Sequence, residues 1–96
     1  DILKSMSMLE ARNKLLSIHG IGKESADSIL LYVLRKPIFV IDSYTKNLFS
    51  HLNIAQYDSF QEYFHKNLPV NYKIFNEFHA LIVQAGKDKI NINDII

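Results

Sequence analysis

The residues with the clearest chemical potential lie at two places in the first half of the chain. Residues 19–24 read HGIGKE, so that two of only three glycines flank a single isoleucine, and a lysine and a glutamate follow. A G-x-G turn that opens a helix exposes consecutive backbone amides, and such amides bind anions. Gly20 and Gly22 are expected to adopt positive φ and to let a phosphate approach the backbone without a Cβ in the way. Ile21 then plugs the space between the two helices, and Lys23 adds a charge beside the same phosphate. Contacts of this kind address phosphodiester and not base sequence. The same residues also suit a helix–helix turn that meets no ligand, and position alone does not decide between the two. The second place is Asp42, whose carboxylate sits where it can accept from the free amides of a following helix. His19, His51, His65 and His79 have no i, i+4 partner and no clustered acids, so no metal site is expected and they are read as surface or boundary residues. Lys46, Lys87 and Lys89 are further candidates for contact with backbone phosphates.

The elements that must hold these residues are helical. Met8, Ala11, Leu15 and Ile18 recur at helical spacing and predict a helix over 7–18, which HGIG ends. Ala26, Ile29, Leu30, Leu31, Val33 and Leu34 predict a second helix over 23–34, buried on most of its circumference and stopped by Pro37. IFVI at 38–41 reads as an extended connector. Asp42 caps a helix over 43–52 with Tyr44, Leu48, Phe49 and Leu52 inward. Ser59 and Glu62 form an S-x-x-E capping box for a helix to about Lys66. Asn71 caps a last long helix, and Gly86 is its left-handed stop. Phe60, Tyr63, Phe64, Tyr72, Phe75 and Phe78 have the spacing of core residues; a base-stacking platform is the alternative use. The tail from Lys89 to Ile96 shows no readable pattern.

Composition bounds the class. A chain of 96 residues, 48% apolar and 22% charged with five tyrosines and six phenylalanines, is globular and long enough for one modest core. The net charge of +1 means that any nucleic-acid contact must come from a local arrangement and not from a basic whole-molecule field. Cysteine is absent, which excludes disulfides, thiolate metal sites and cysteine-ligated clusters within this chain. The longest apolar run, Ile29 to Leu34, is too short to span a bilayer, no secretory leader is read, and no membrane partner is expected. No repeat or linker divides the chain, so one helical unit over 1–96 is expected. Because it begins with Asp1, it is read as a fragment or a processed product.

The segment LLSIHGIGKESADSILLYV resembles the helix-hairpin-helix of DNA repair glycosylases of the endonuclease III type, in which leucine precedes a G-[IV]-G hairpin and alanine follows in the second helix. PIFVIDSYTKNLF is similar to that family's segment with an aspartate at the head of the next helix, and LPVNYKIFNEFHALIVQAG to its last long helix. The resemblance covers most of residues 8–86. It implies an all-α fold, a helix-hairpin-helix over about 8–35 followed by three packed helices over about 43–86. This would be half of a two-domain glycosylase whose pocket-forming helical domain is absent from this chain. It also implies that Asp42 faces the sugar of a flipped-out nucleotide. A carboxylate there stabilises positive charge as the glycosidic bond breaks and helps deprotonate the attacking water.

Strand-cleaving members carry a lysine two residues after the second hairpin glycine, where this chain has Glu24. Lys23 does not replace it, because one residue along a helix turns a side chain by about 100°. A glutamate there, together with the missing cysteines, is similar to the 3-methyladenine glycosylase subgroup without an iron–sulfur centre. The resemblance thus implies hydrolysis of the N-glycosidic bond of an alkylated purine by water, with no cofactor and with strand cleavage in doubt. Glu24 is expected either near the base pocket, favouring a cationic base, or as a solvated first-turn residue. The site expected is Asp42 and Glu24 for catalysis, and Gly20, Ile21, Gly22, Lys23 and Lys46 for phosphates. The expected partner is double-stranded DNA with a damaged base, bound by a cytoplasmic, nucleoid-associated bacterial monomer. Two alternatives stay open: a non-catalytic helix-hairpin-helix DNA-binding module, in which Asp42 is only a cap, and a protein-interaction domain whose hairpin meets no DNA.

Overall fold

A computed structural model of the chain describes residues 2–90; the pattern-free tail read from the sequence lies, over 91–96, outside the described residues. Among the described residues there are helices and no strand. They are α1 (Ile2–Ser5), α2 (Met8–Leu16), α3 (Lys23–Ser28), α4 (Ser43–Leu48), α5 (Tyr57–Asn67) and α6 (Tyr72–Lys87). A π-helical turn, Ile29–Val33, continues α3, and a 3-10 turn, Ser50–Leu52, follows α4. The expected all-α architecture, with a helical hairpin followed by further packed helices, is the one found.

Two of the local signals were read at the wrong address. The S-x-x-E box forms at Ser7 and Glu10, where the Ser7 hydroxyl accepts from the Glu10 amide and the Glu10 carboxylate accepts from the Ser7 amide. At Ser59 and Glu62 it does not form. There α5 begins three residues earlier, at Tyr57, with no side-chain cap, because Tyr57 is drawn into tertiary hydrogen bonds that a start at Phe60 would break. Glu62 pairs instead with Lys66 one turn on, on the surface. Gly86 is likewise not a left-handed stop. α6 runs on through Lys87, and the left-handed residue is Lys89 at φ 56°. Gly86 is glycine because a Cβ there would lie 2.2 Å from Cδ1 of Tyr44, so the ring of α4 lies directly against the backbone of α6. Asn71 does cap α6, accepting from the amides of Lys73 and Ile74.

The core forms in two parts. Ala11, Leu15, Ala26, Leu30, Leu34 and Ile38 close the hairpin, with Ile21 packed against them as expected. Leu31, Phe39, Val40, Ile41, Phe60, Phe64, Phe75 and Ile82 form the larger part, against which Tyr63, Tyr72 and Phe78 pack. The aromatic stripe is therefore core and not a stacking platform. The connector 38–41 threads between the two parts, all four residues buried. A buried extended segment needs partners for its backbone groups. Here side chains supply them: His65 Nε2 accepts from the Phe39 amide, Gln61 donates to the Phe39 carbonyl, and the Tyr57 hydroxyl accepts from the Ile41 amide. Burial pushes the His65 imidazole below its ordinary value, more than the opposing pull of Asp27 raises it, which favours the neutral ring that can accept this bond.

Candidate active site

Asp42 follows this connector directly and is held from three directions. Its Oδ1 accepts from both the amide and the hydroxyl of Thr45, each at 2.9 Å. Its Oδ2 accepts from Nε2 of His79, also at 2.9 Å. Burial works to raise its pKa, but the bonds from His79 and Thr45 outweigh burial and hold the carboxyl below its ordinary value of 3.8. The side chain is 16% exposed, so an ionised carboxylate with a free lone pair on Oδ2 still meets solvent.

His79 is the residue that sequence reasoning missed. It is 4% exposed, not a surface or boundary residue, and its second nitrogen, Nδ1, is hydrogen-bonded to the hydroxyl of Tyr32. The edge of Phe39 lies against it. The signal was present in the register: His79 follows Phe75 by four residues and precedes Ile82 by three, which places it on the buried stripe of α6. A histidine at a core position calls for a partner.

The hairpin keeps its expected outline with one correction. Gly20 has φ 91°, but Gly22 has φ −92° and ψ −174°, an extended backbone open to any residue. The turn needs a single left-handed position, because Gly22 already serves as the N-cap of α3. No side chain caps that helix, so its first amides have no side-chain acceptor. A Cβ at either glycine would meet nothing within 4 Å. Lys23 does not stand free; its Nζ lies 2.9 Å from both carboxylate oxygens of Asp58 at the start of α5. That pair is exposed and of little stabilising weight, so a phosphate can compete for the amine. Glu24 and Lys46 are exposed. Neither is brought into hydrogen-bond contact with Asp42, whose partners are Thr45 and His79.

The link between hairpin and carboxylate is a second buried acid that the sequence reading passed over. Asp27 on α3 is fully buried and receives Arg12 through Nε at 2.7 Å and Nη2 at 3.1 Å. Tyr57 and Gln61 each donate to its Oδ2 at 2.8 Å. These are the side chains that also hold the backbone of Phe39 and Ile41. Burial, reinforced by the neighbouring Asp27, pushes the Tyr57 hydroxyl far above its ordinary value, so it stays protonated and donates. One network therefore fixes α2, α3, α5 and the connector that delivers Asp42.

The fold and site together define an all-α domain with an uncapped, glycine-turned helix start and a nearly buried, ionised carboxylate at the head of another helix. Against known proteins, the chain is 54% identical over 80 residues, 79% of its length, to a protein of Methanocaldococcus jannaschii whose name proposes a DNA repair glycosylase. It spans about a third of that protein's length, 36%. No family model and no solved structure matches the chain.

Proposed function

We propose that the chain carries the DNA-binding hairpin and the catalytic carboxylate of a monofunctional DNA glycosylase. That full-length enzyme, and not this chain alone, would hydrolyse the N-glycosidic bond of an alkylated purine in duplex DNA. The similarity to a protein named for DNA repair glycosylase activity supports the reaction class; the resemblance to cluster-free 3-methyladenine glycosylases supports the substrate. The single observation that carries the reading is the setting of Asp42. A helix cap needs one carboxylate oxygen, and Thr45 occupies that one; the other is held by a buried histidine, which a cap does not require.

With a flipped nucleotide in place, the bond between C1′ and the base nitrogen breaks and the electron pair leaves with the base. Positive charge develops on the sugar, and the ionised Asp42 stabilises it. Water then adds to C1′ and gives its proton to the carboxylate. An alkylated purine that carries a positive charge departs as a neutral base, so it needs no general acid to protonate it. Glu24, an exposed acid in the first turn of α3, would favour such a cation through its charge. No lysine holds that place, so no Schiff base with the sugar is expected.

The test, made on the full-length protein, is base release from duplex DNA containing an alkylated purine, with borohydride trapping in parallel. Release without a trapped covalent complex is expected; strong trapping would reject the water-driven mechanism. The absence of any release, with DNA binding intact, would favour the non-catalytic binding module.

The hairpin has its own test. Gly22→Val leaves the fold intact, because its φ suits valine and its Cβ meets open space. It places a branched side chain where a phosphate would approach. DNA affinity is expected to fall by about 1.5 kcal/mol or more, the scale of one hydrogen bond to a charged group. Lys23→Ala should lower the slope of log affinity against log salt by at most about one. Titrations at several salt concentrations measure both, and an unchanged affinity in Gly22→Val would remove the hairpin from the interface.

A further inference from the structure

We propose that Tyr32 and His79 are positioning residues for Asp42, with the Tyr32 hydroxyl holding the orientation of the imidazole through Nδ1; this rests on the reading of Asp42 as the catalytic carboxylate. An ionised carboxylate only accepts hydrogen bonds, so a ring that carries a single proton must carry it on Nε2, which faces Asp42. Nδ1 is then an acceptor, and the Tyr32 hydroxyl is the donor directed at it. The chain of donation runs Tyr32 O–H to His79 Nδ1, and His79 Nε2–H to Asp42 Oδ2. In the other tautomer a nitrogen lone pair would face the carboxylate, and Asp42 would have to rotate away or take up a proton.

The surroundings fit a device for orientation more than a demand of packing. His79 is buried, so its ring cannot turn to water for a substitute partner. Tyr32 is 42% exposed, and the core does not need its ring. It reaches inward from the π-helical turn that interrupts the helix after α3, where the Leu34 amide bonds back to the Ile29 carbonyl. Such turns recur at functional sites. Burial, reinforced by Asp42 and Tyr72, pushes the Tyr32 hydroxyl above its ordinary value, so it keeps the proton it donates. The titratable groups facing His79 are Asp42 from α4 and Tyr32 from the π turn, with Phe39 presented by the connector. The charged residues of the same elements, Lys46, Arg35, Lys73 and Glu77, are exposed.

The experiment is histidine-nitrogen NMR on the intact, isotope-labelled protein at neutral pH, together with single-turnover base release. The wild type should show His79 with a protonated Nε2 and an accepting Nδ1. Tyr32→Phe, which keeps the ring and removes only the hydroxyl, should leave Nδ1 without its donor and shift its nitrogen resonance. Its release rate should fall about tenfold at unchanged DNA affinity, the scale of loss when the group orienting a functional histidine is removed. In a His79→Gln background, where an amide donates to Asp42 without help from Tyr32, the same change should cost nothing. A His79 protonated on Nδ1 in the wild type would overturn the proposal, and so would an unaltered Nδ1 resonance and rate in Tyr32→Phe. Should His79→Gln fail to fold, the Tyr32→Phe spectrum and rate decide alone. Full activity in Asp42→Asn would instead reject the catalytic reading beneath it, whatever the spectrum shows.

Discussion

Asp42→Asn is expected to lower single-turnover base release about a thousandfold while leaving stability and DNA affinity close to those of the wild type. A unit charge about 4 Å from the developing positive charge of the sugar, at an effective dielectric near 20, stabilises it by about 4 kcal/mol, roughly three decades in rate. The amide keeps the cap, since its oxygen still accepts from the amide and hydroxyl of Thr45. Its nitrogen would face the Nε2–H of His79, donor against donor, but the relay can reverse. The imidazole moves its proton to Nδ1, Nε2 accepts from the new amide, and the Tyr32 oxygen accepts in turn. All partners stay satisfied, so the rate loss reads charge and not unfolding. Rates near those of the wild type would reduce Asp42 to a helix cap.

The lowered pKa of Asp42 adds a condition on pH. Its folded value lies below the ordinary 3.8, so its contribution to stability is fully present above that value and is lost as the pH falls through the lower one. Base release should therefore not lose the ionised carboxylate anywhere near neutrality.

How much of this the sequence could disclose depended on whether a feature is local. The hairpin glycines, the Asn71 and Asp42 caps and the helical stripes depend on neighbours within one or two turns, and their residue types name them. The Ser59 box failed although its local pattern was sound, because Tyr57 has partners 30 residues away in Asp27 and 16 away in Ile41. Gly86 was read for its freedom of φ, yet its cause is a ring on another helix. The site followed the same division. Asp42 was legible by its place at a helix head, whereas His79 reaches it across 37 residues and Tyr32 reaches His79 across 47. Helical register puts His79 and Asp27 on buried faces, although His79 was read as a surface or boundary residue and Asp27 was passed over. A polar residue on such a face requires a partner, and that requirement was the unused signal.

Asp27 gives the second large effect, on stability. Its carboxylate is fully buried and Arg12 is its only ion-pair partner among the described residues. Removing one member of a buried pair leaves an uncompensated charge and costs about 3–5 kcal/mol. Arg12→Leu is expected near the lower end of that range, because Tyr57 and Gln61 still donate to Asp27 and the guanidinium side chain is partly exposed. A urea midpoint measured at neutral pH should fall accordingly. Adding Asp27→Asn to Arg12→Leu should then recover much of the loss, since a neutral amide needs no countercharge and its oxygen can still accept from Tyr57 and Gln61. That recovery separates a charge left alone from a mere loss of packing by the Arg12 stem, which a second substitution would not repair. The network also holds the backbone of Phe39 and Ile41, the latter adjacent to Asp42. Arg12→Leu should therefore slow base release more than it weakens DNA binding. A cost below about 1 kcal/mol would mean that water screens the pair as it screens a surface one, and the connector would then owe its position to the apolar contacts of Phe39, Val40 and Ile41 alone.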